Sequence, residues 1–148
     1  MENEKTPLYV AFSTQKGGVG KTTFTVLAAS YLYYLKGYDV VVVDCDYPQH
    51  SIAGMRKRDA EMVGEDEDYK RMAYEQFTRL GKKAYPVLCS SPEKAIATAD
   101  EYITAAANVP DIVFFDLPGT VNSEGVINSL SGMDYIFTPI AADKVVLE

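Results

Sequence analysis

The chain has 148 residues, of which 47% are hydrophobic, a proportion that supports one globular domain with a buried core. Its net charge of −7 is concentrated in residues 84–148, which hold 9 acidic and 2 basic side chains and so form a poor surface for nucleic acid. The apolar runs are too short to cross a bilayer, the polar N-terminus lacks the pattern of a secretory signal, and Cys45 and Cys89 form no C-x-x-C pair. These features predict a cytoplasmic protein in which both thiols are buried and reduced.

The hydrophobic pattern predicts strands separated by helices. The predicted strands are short, continuous apolar runs, as in parallel sheets covered on both faces, and they comprise residues 8–12, 40–43, 85–89, 112–115 and 135–140. The predicted helices comprise residues 22–36, 51–62, 69–80, 91–108 and 123–130. This order predicts an α/β, three-layer fold, a mostly parallel sheet with helices on both faces, as one domain over residues 1–148.

Two predicted helices carry apolar residues at helical spacing, which is typical of a face that packs on a core. In the first helix they are Phe24, Leu27, Ala28, Tyr31, Leu32 and Leu35. In the third they are Met72, Phe77 and Leu80, which we expect to face inward. Gly37 and Gly81 follow these two helices as predicted stops.

A glycine-rich segment, residues 13–23 with the sequence STQKGGVGKTT, joins the first strand to the first helix. At such a turn, backbone N–H groups can converge on a phosphate. Lys21 adds a positive charge for the β- and γ-phosphates, and the Thr22 hydroxyl suits Mg²⁺. The segment is therefore predicted to be a P-loop, and its predicted nucleotide-binding residues are Lys16, Gly17, Gly18, Val19, Gly20, Lys21, Thr22 and Thr23.

Two related motifs fit less well. The strict Walker A pattern requires glycine where this chain has Gln15. The dinucleotide fingerprint G-x-G-x-x-G fits Gly18 and Gly20, with Asp44 at a spacing that suits a ribose, but Thr23 replaces its third glycine. A pyrophosphate bound at a Rossmann turn needs no lysine beside it, so the lysine before Thr22 favours the P-loop.

Acidic residues follow two other predicted strands. Asp44 and Asp46 are two positions apart and point to the same side of a regular strand. Asp116 ends the run Ile112 to Phe115 and begins the turn sequence D-L-P-G. Ligands of parallel sheets bind at the carboxyl ends of strands, so we expect these acids near the P-loop, where they suit metal binding and orientation of a water. His50, without cysteine or histidine companions, is predicted to be a surface residue or a residue at the edge of a switch.

The pattern K-G-G-x-G-K-T-T resembles the deviant Walker A motif of the ParA/MinD superfamily of dimeric ATPases. The segments DCDYPQ (residues 44–49) and DLPG (residues 116–119) are similar to that family's D-x-D-P-Q and D-x-P-G segments, although Tyr47 is inserted in the first. The resemblance covers essentially the whole chain. It implies a P-loop NTPase fold that binds ATP and Mg²⁺ and hydrolyses ATP slowly.

The resemblance also implies roles for individual residues. Lys16 is expected to reach the nucleotide of a second subunit in an ATP-dependent homodimer, and Lys21 and Asp46 to act in catalysis, Asp46 by positioning the attacking water. Thr22, Asp44 and Asp116 are the expected metal-site residues. Pro118 and Gly119 form the expected switch that senses the γ-phosphate.

The form of the second segment is most similar to ParA-type, TraA-like proteins of conjugative transposons. This implies a role in DNA partition or in transfer and maintenance of a mobile element, with DNA and a partner protein as partners. Family members are longer, so the resemblance implies that the C-terminal part of the fold, with the adenine-binding segment, is absent from this chain. No amphipathic tail of the kind that binds MinD to membranes is visible.

Two other hypotheses remain open from the sequence. The chain could be a non-catalytic nucleotide-binding or assembly module of the same fold. It could also be an iron-protein-like reductase component, but that function needs cysteines that bridge a cluster, and Cys45 lies between two acids while Cys89 lies on a predicted core strand.

Overall fold

A five-stranded parallel sheet lies at the centre of the computed structural model, which describes residues 4–13, 20–46, 49–118 and 124–138. The strands are β1 (Leu8–Phe12), β2 (Val40–Asp44), β3 (Val87–Cys89), β4 (Ile112–Asp116) and β5 (Tyr135–Phe137). The helices are α1 (Lys21–Ser30), α2 (Ser51–Glu65), α3 (Glu67–Leu80), α4 (Ala95–Ala105) and α5 (Glu124–Ser131). A π-helical turn, Tyr31–Leu35, continues α1, and a 3-10 turn, Pro92–Lys94, leads into α4.

The strands are arranged in the order β3-β2-β4-β1-β5, and every neighbouring pair is parallel. The register pairs Asp116, the last residue of β4, with Phe12 on one side and with Asp44 on the other. The carboxyl ends of the three central strands therefore meet at one edge of the sheet.

Helices cover both faces of the sheet, because successive residues of each strand point to opposite faces. On one face, strand residues pack with α1 and α2, and this core comprises Val10, Phe12, Ala29, Tyr33, Val40, Val42, Ile52, Tyr85 and Phe114. On the other face they pack with α4, and this core comprises Ala11, Val41, Val43, Cys45, Ala95, Ala99, Val113, Phe115 and Leu117. The predicted α/β fold of P-loop NTPase type, with a parallel sheet and helices on both faces, is confirmed.

Several element boundaries differ from the predicted ones. β3 begins at Val87 rather than at residue 85, since Pro86 has no N–H to donate and instead its carbonyl accepts from Val42 N, 3.0 Å away. α4 ends at Ala105, three residues early. β5 includes residues 135–137, and the predicted positions 139–140 lie outside the described residues.

The end of the first helix widens into the π-helical turn, in which Lys36 N donates to Tyr31 O at 3.1 Å. This wider turn lets the consecutive residues Tyr33 and Tyr34 both contact Tyr85, with ring centroids 5.5 and 5.8 Å from that of Tyr85. Arg56 of α2 lies over the Tyr85 ring, with its guanidinium carbon 4.6 Å from the ring centroid. The aromatic cluster thus joins α1, α2 and the segment before β3.

The predicted apolar stripe of the first helix is largely wrong. Four of its six residues are half exposed or more, namely Phe24, Leu27, Tyr31 and Leu35. Only Ala28 and Leu32 pack against the core, and the face that is buried carries Lys21, Thr25, Ala29 and Tyr33. Because small and polar side chains face the sheet, the start of α1 lies close to the strand ends where the acids are.

The predicted inward position of Met72 is also wrong, since its side chain is 59% exposed. Phe77 and Leu80 are partly buried, but α3 has no buried residue because it packs on α2 rather than on the sheet. In the described part of the chain, no helix is both long enough and apolar enough to span a membrane.

Candidate functional site

The loop predicted to bind phosphate ends at Gly20, which is the N-cap of α1. Its φ of 67° lies in the left-handed region, where glycine is not strained, and a Cβ at this position would lie 3.4 Å from the Phe24 ring. Gly20 O accepts the first helical hydrogen bond, from Phe24 N at 2.8 Å. The backbone therefore turns into the helix immediately before Lys21, at the carboxyl edge of the sheet.

Lys21 and Thr22, the first residues of α1, both contact Asp116 at the end of β4. Lys21 Nζ forms an ion pair with Asp116 Oδ1, and Thr22 Oγ1 donates to Asp116 Oδ2 at 2.9 Å. Both members of the ion pair are buried. Burial raises the pKa of the Asp116 carboxyl group, while the Lys21 ammonium and the hydrogen bonds oppose this by favouring the charged form. The fold thus brings together three predicted site residues that are up to 95 positions apart in the sequence.

Asp44 is fully buried beside Asp116 in the sheet, but its carboxylate is engaged by α2. Its Oδ2 accepts from Ile52 N at 3.0 Å and from Ala53 N at 3.1 Å, and its Oδ1 accepts from Asp46 N at 3.2 Å. The N-cap residue of α2 provides no side-chain cap. Asp44 therefore caps α2 from the end of β2, an arrangement favoured by the helix dipole.

Asp46 lies two residues further on and is partly buried. Its Oδ2 accepts from Ser51 Oγ at 3.3 Å, and its backbone carbonyl accepts from His50 N at 2.7 Å. In the structure, both acids of the predicted metal and water-positioning pair are thus bound by the first turn of α2. No sequence pattern indicates this, because the contacts depend on where α2 is placed over the sheet.

His50 was predicted to be a surface or switch-edge residue, and its contact with Asp44 was not predicted. It has a φ of 46°, the one positive value of a non-glycine residue in the described part of the chain. Its Nδ1 lies 3.2 Å from Asp44 O and 3.8 Å from the Asp44 carboxylate. The sequence carries no signal for this position, since a left-handed backbone at a residue other than glycine is imposed by tertiary structure.

Several predicted site residues lie outside the described residues: Lys16, Gly17, Gly18, Val19 and Gly119. Thr23 is described and is exposed, and Pro118 is partly buried and follows the buried Leu117. Cys45, between the two acids, is buried and donates its N–H to Asp116 O at 3.0 Å. Burial, together with the neighbouring Asp44 carboxylate, raises the pKa of its thiol to about 12.

The donor set fits a magnesium ion that is held together with a nucleotide. Within residues 4–13, 20–46, 49–118 and 124–138, no three acidic, histidine or cysteine side chains form a metal cluster. Mg²⁺ is commonly bound by one or two carboxylates with phosphate oxygens and waters, rather than by a complete protein cage. The Thr22 hydroxyl and the Asp116 carboxylate provide that kind of partial ligand set.

A parallel sheet with a lysine and a threonine at the start of the first helix, opposite an aspartate that ends a central strand, defines a P-loop nucleotide-binding domain. Residues 10–138 match the family model CbiA, described as the CobQ/CobB/MinD/ParA nucleotide binding domain. The chain belongs to this family.

The individual proteins that resemble this chain are only distantly similar to it. The chain is 36% identical over 85 residues to the uncharacterized protein BBD21 of Borreliella burgdorferi, a match that covers 56% of this chain and 34% of that protein. The crystal structure of FlhF complexed with GMPPNP/Mg²⁺ aligns with 93% of this chain and 45% of that chain, at 17% identity and a TM-score of 0.46, too low to carry an argument. The chain thus spans about a third of the curated relative and less than half of the structural one.

Proposed function

We propose that this domain is a ParA-type ATPase that hydrolyses ATP to ADP and phosphate with Mg²⁺, and that it acts as a nucleotide-dependent switch. The observation that carries the proposal is the convergence of Lys21, Thr22 and Asp116 at the carboxyl edge of the sheet. A phosphate-binding lysine, a hydroxyl and an acid are the groups that P-loop NTPases use for a Mg²⁺-bound triphosphate.

In this proposal Lys21 and Thr22 have roles that suit their chemistry, and Asp44 and Asp46 have the roles that the motif resemblance implies. Lys21 leaves its ion pair and binds the β- and γ-phosphates, while Thr22 and Asp116 hold the metal, with Asp44 supporting it. Asp46 orients the attacking water. Mg²⁺ supplies neutralisation of the phosphate charge. In the described part of the chain, Lys21 is accompanied by Asp44, Asp46 and Asp116, so the site is negative overall and ATP binding should require the cation.

The wider parts of the proposal rest on the motif resemblance. ATP promotes a homodimer, in which Lys16 completes the site of the partner subunit, and hydrolysis releases it. The cycle serves DNA partition or the transfer and maintenance of a mobile element such as a conjugative transposon, with DNA and a further protein as partners. We also propose a cytoplasmic location, where the two free cysteines stay reduced.

The test compares two lysines at opposite ends of the first helix. Lys21→Ala should weaken binding of Mg·ATP by about tenfold or more and abolish phosphate release, because it removes a charge-assisted phosphate contact. Lys36→Ala, at an exposed lysine near Tyr31, should change neither. Equal affinity of both variants for Mg·ATP would refute the assignment of the P-loop.

Dimerisation is tested by sedimentation with and without ATP. ATP should shift the wild-type chain toward a dimer, and Lys16→Ala should abolish the shift while it leaves ATP binding to the monomer in place. A monomer under all conditions would refute the dimeric switch without affecting nucleotide binding.

A second candidate is a nucleotide-binding module without turnover. The engagement of both Asp44 oxygens by backbone N–H groups favours it, because an acid that caps α2 is not available to the metal. Calorimetric binding of ATP in the presence of Mg²⁺, with no phosphate released over hours, would identify this candidate.

A further inference from the structure

His50 occupies a backbone conformation that is uncommon for residues other than glycine. Its φ of 46° and ψ of 60° place it in the left-handed region, at the N-cap of α2. A non-glycine residue in this region is kept there by the surrounding structure, and such residues concentrate at functional sites. The conformation turns the chain sharply between the end of β2 and the first turn of α2.

The polar atoms of residues 50–53 hold both acids that precede them. His50 N donates to the Asp46 carbonyl, and Ser51 Oγ donates to the Asp46 carboxylate. The N–H groups of Ile52 and Ala53 donate to the Asp44 carboxylate. Residues 50–53 therefore bind the side chain of Asp44 and both the side chain and the main chain of Asp46.

The His50 ring completes this arrangement. Its Nδ1 lies 3.2 Å from the Asp44 carbonyl, and because a carbonyl oxygen only accepts, Nδ1 carries the proton. The same nitrogen lies 3.8 Å from the Asp44 carboxylate. His50 thus contacts Asp44 through its side chain and Asp46 through its backbone, and it joins both acids to α2, the helix that Asp44 caps.

We propose that His50 is a positioning residue for the acid pair Asp44 and Asp46, acting through the left-handed turn that places the N-terminus of α2 on Asp44. The proposal rests on the function proposed above, because it assigns His50 to the acids expected to support the metal and orient the water. The positioning of Asp44 and Asp46 by His50 applies equally to the protein without nucleotide.

Three substitutions separate the contributions of the backbone and the ring. His50→Ala removes the donor and keeps a Cβ in the left-handed region, and His50→Gly removes the donor but relieves the backbone. His50→Asn keeps both, since asparagine tolerates the left-handed region and its amide can donate to the Asp44 carbonyl. Asp66→Ala is the matched control, because Asp66 caps α3 through Asp68 N and Tyr69 N, away from the site.

The first measurement is hydrogen exchange of the α2 amides in the ligand-free protein. In His50→Ala, the Ile52 and Ala53 amides should exchange about tenfold faster than in the wild type, the effect of weakening one hydrogen-bonded contact. His50→Asn should restore protection, and His50→Gly should give an intermediate rate. Asp66→Ala should accelerate exchange only in α3.

The second measurement is the rate of phosphate release as Mg²⁺ and ATP are varied. His50→Ala should lower kcat and raise the Mg²⁺ concentration for half-maximal rate by about tenfold, while KM for ATP at saturating Mg²⁺ stays unchanged, because the P-loop is not touched. His50→Asn should recover most of the rate. Asp66→Ala should leave kcat and the Mg²⁺ requirement at wild-type values.

Two results would overturn the proposal. One is wild-type exchange of the Ile52 and Ala53 amides in His50→Ala. The other is faster exchange with unchanged kcat and Mg²⁺ requirement, which would make His50 a structural residue only. A wild-type chain without turnover would refute the function proposed above instead, and the exchange rates would then support or overturn the His50 assignment by themselves.

Discussion

At the scale of single residues, the site contains a buried lysine, Lys21, that forms an ion pair with a buried aspartate, Asp116. The Lys21 ammonium is almost fully buried and contacts the Asp116 carboxylate, which also accepts from Thr22. A buried ion pair contributes little net stability, because both ions lose hydration, but removal of one partner leaves the other charge buried and unpaired. The pair therefore keeps both groups at the carboxyl edge of the sheet in the ligand-free protein.

This asymmetry gives a prediction for the ligand-free protein. Asp116→Ala should lower the free energy of unfolding by about 3 kcal/mol, whereas the double variant Lys21→Met, Asp116→Ala should recover most of that loss. Urea unfolding of the wild type, both single variants and the double variant measures the coupling. Additive losses in the double variant would show that the two side chains do not interact.

The two cysteines differ in reactivity for a physical reason. Cys45 is buried between the acids with the pKa of its thiol raised to about 12, whereas Cys89 is exposed, so the predicted burial of Cys89 is wrong. Only the thiolate reacts with alkylating reagents, and at pH 8 a thiol with that pKa is ionised in about one molecule in ten thousand.

Alkylation of the folded protein with iodoacetamide should therefore modify Cys89 first. Raising the pH from 7 to 9 should speed the reaction of Cys89, because more of its thiolate forms, and should leave Cys45 unmodified. Mass spectrometry of the peptides after a timed quench gives the two rates, and unfolding in urea should make both cysteines reactive. Equal rates in the folded protein would contradict the burial of Cys45.

At the scale of elements, α1 has its large apolar residues on the outer face and small or polar ones on the sheet. Leu27 and Leu35 are 60% and 71% exposed, while Ala29 is fully buried against the sheet. Small residues on the inner face let the helix approach closely enough for Lys21 to reach Asp116. The close approach of α1 to the sheet therefore brings Lys21 to Asp116, although the large apolar residues of the helix face outward.

Substitutions on the two faces should consequently differ in cost. Leu27→Gln should change the free energy of unfolding by less than about 0.5 kcal/mol, since the side chain is mostly in solvent. Ala29→Leu should destabilise by about 1–3 kcal/mol, because it forces extra volume into a packed core. Chemical denaturation of the two variants measures both values, and a larger loss for Leu27→Gln would mean that the outer face is covered in solution.

At the scale of the whole molecule, the elements differ in how firmly they are attached. β2 and β4 are buried in the sheet, while α3 has no buried residue and contacts α2. α2 in turn is attached by the buried Ile52, by the Asp44 cap and by Arg56, whose Nη1 donates to Tyr85 O at 2.7 Å. Asp44 and Asp46 are therefore held by a helix in which Ile52 is the one buried residue.

Nucleotide should stabilise the whole domain only with its metal. Under the proposed function, Mg·ATP at about a hundred times its Kd should add about 2.7 kcal/mol to the free energy of unfolding, seen as a rise in Tm. EDTA should abolish most of this rise, because the described part of the site contains three acids and one lysine. An equal rise with EDTA present would argue against a metal-dependent site.

Much of the fold follows from local sequence pattern. The bounds of β1 were predicted to the residue, and β2 and β4 differ by one position, because continuous apolar runs bounded by polar residues define buried parallel strands. The start of α1 after a glycine loop is equally local. The convergence of Lys21, Thr22 and Asp116 could be expected because the carboxyl ends of parallel strands meet at one edge.

By itself, then, the sequence determined the order of the elements, the P-loop and the edge of the sheet where the site lies, since each depends on spacing within a few residues. Only the tertiary structure decided which face of α1 is buried, that Asp44 caps α2, and that His50 turns the chain between them. Those features depend on how far each helix lies from the sheet and on where its N-terminus meets a strand end. Contacts between distant parts of the chain stabilise these positions, so patterns within a short segment do not predict them.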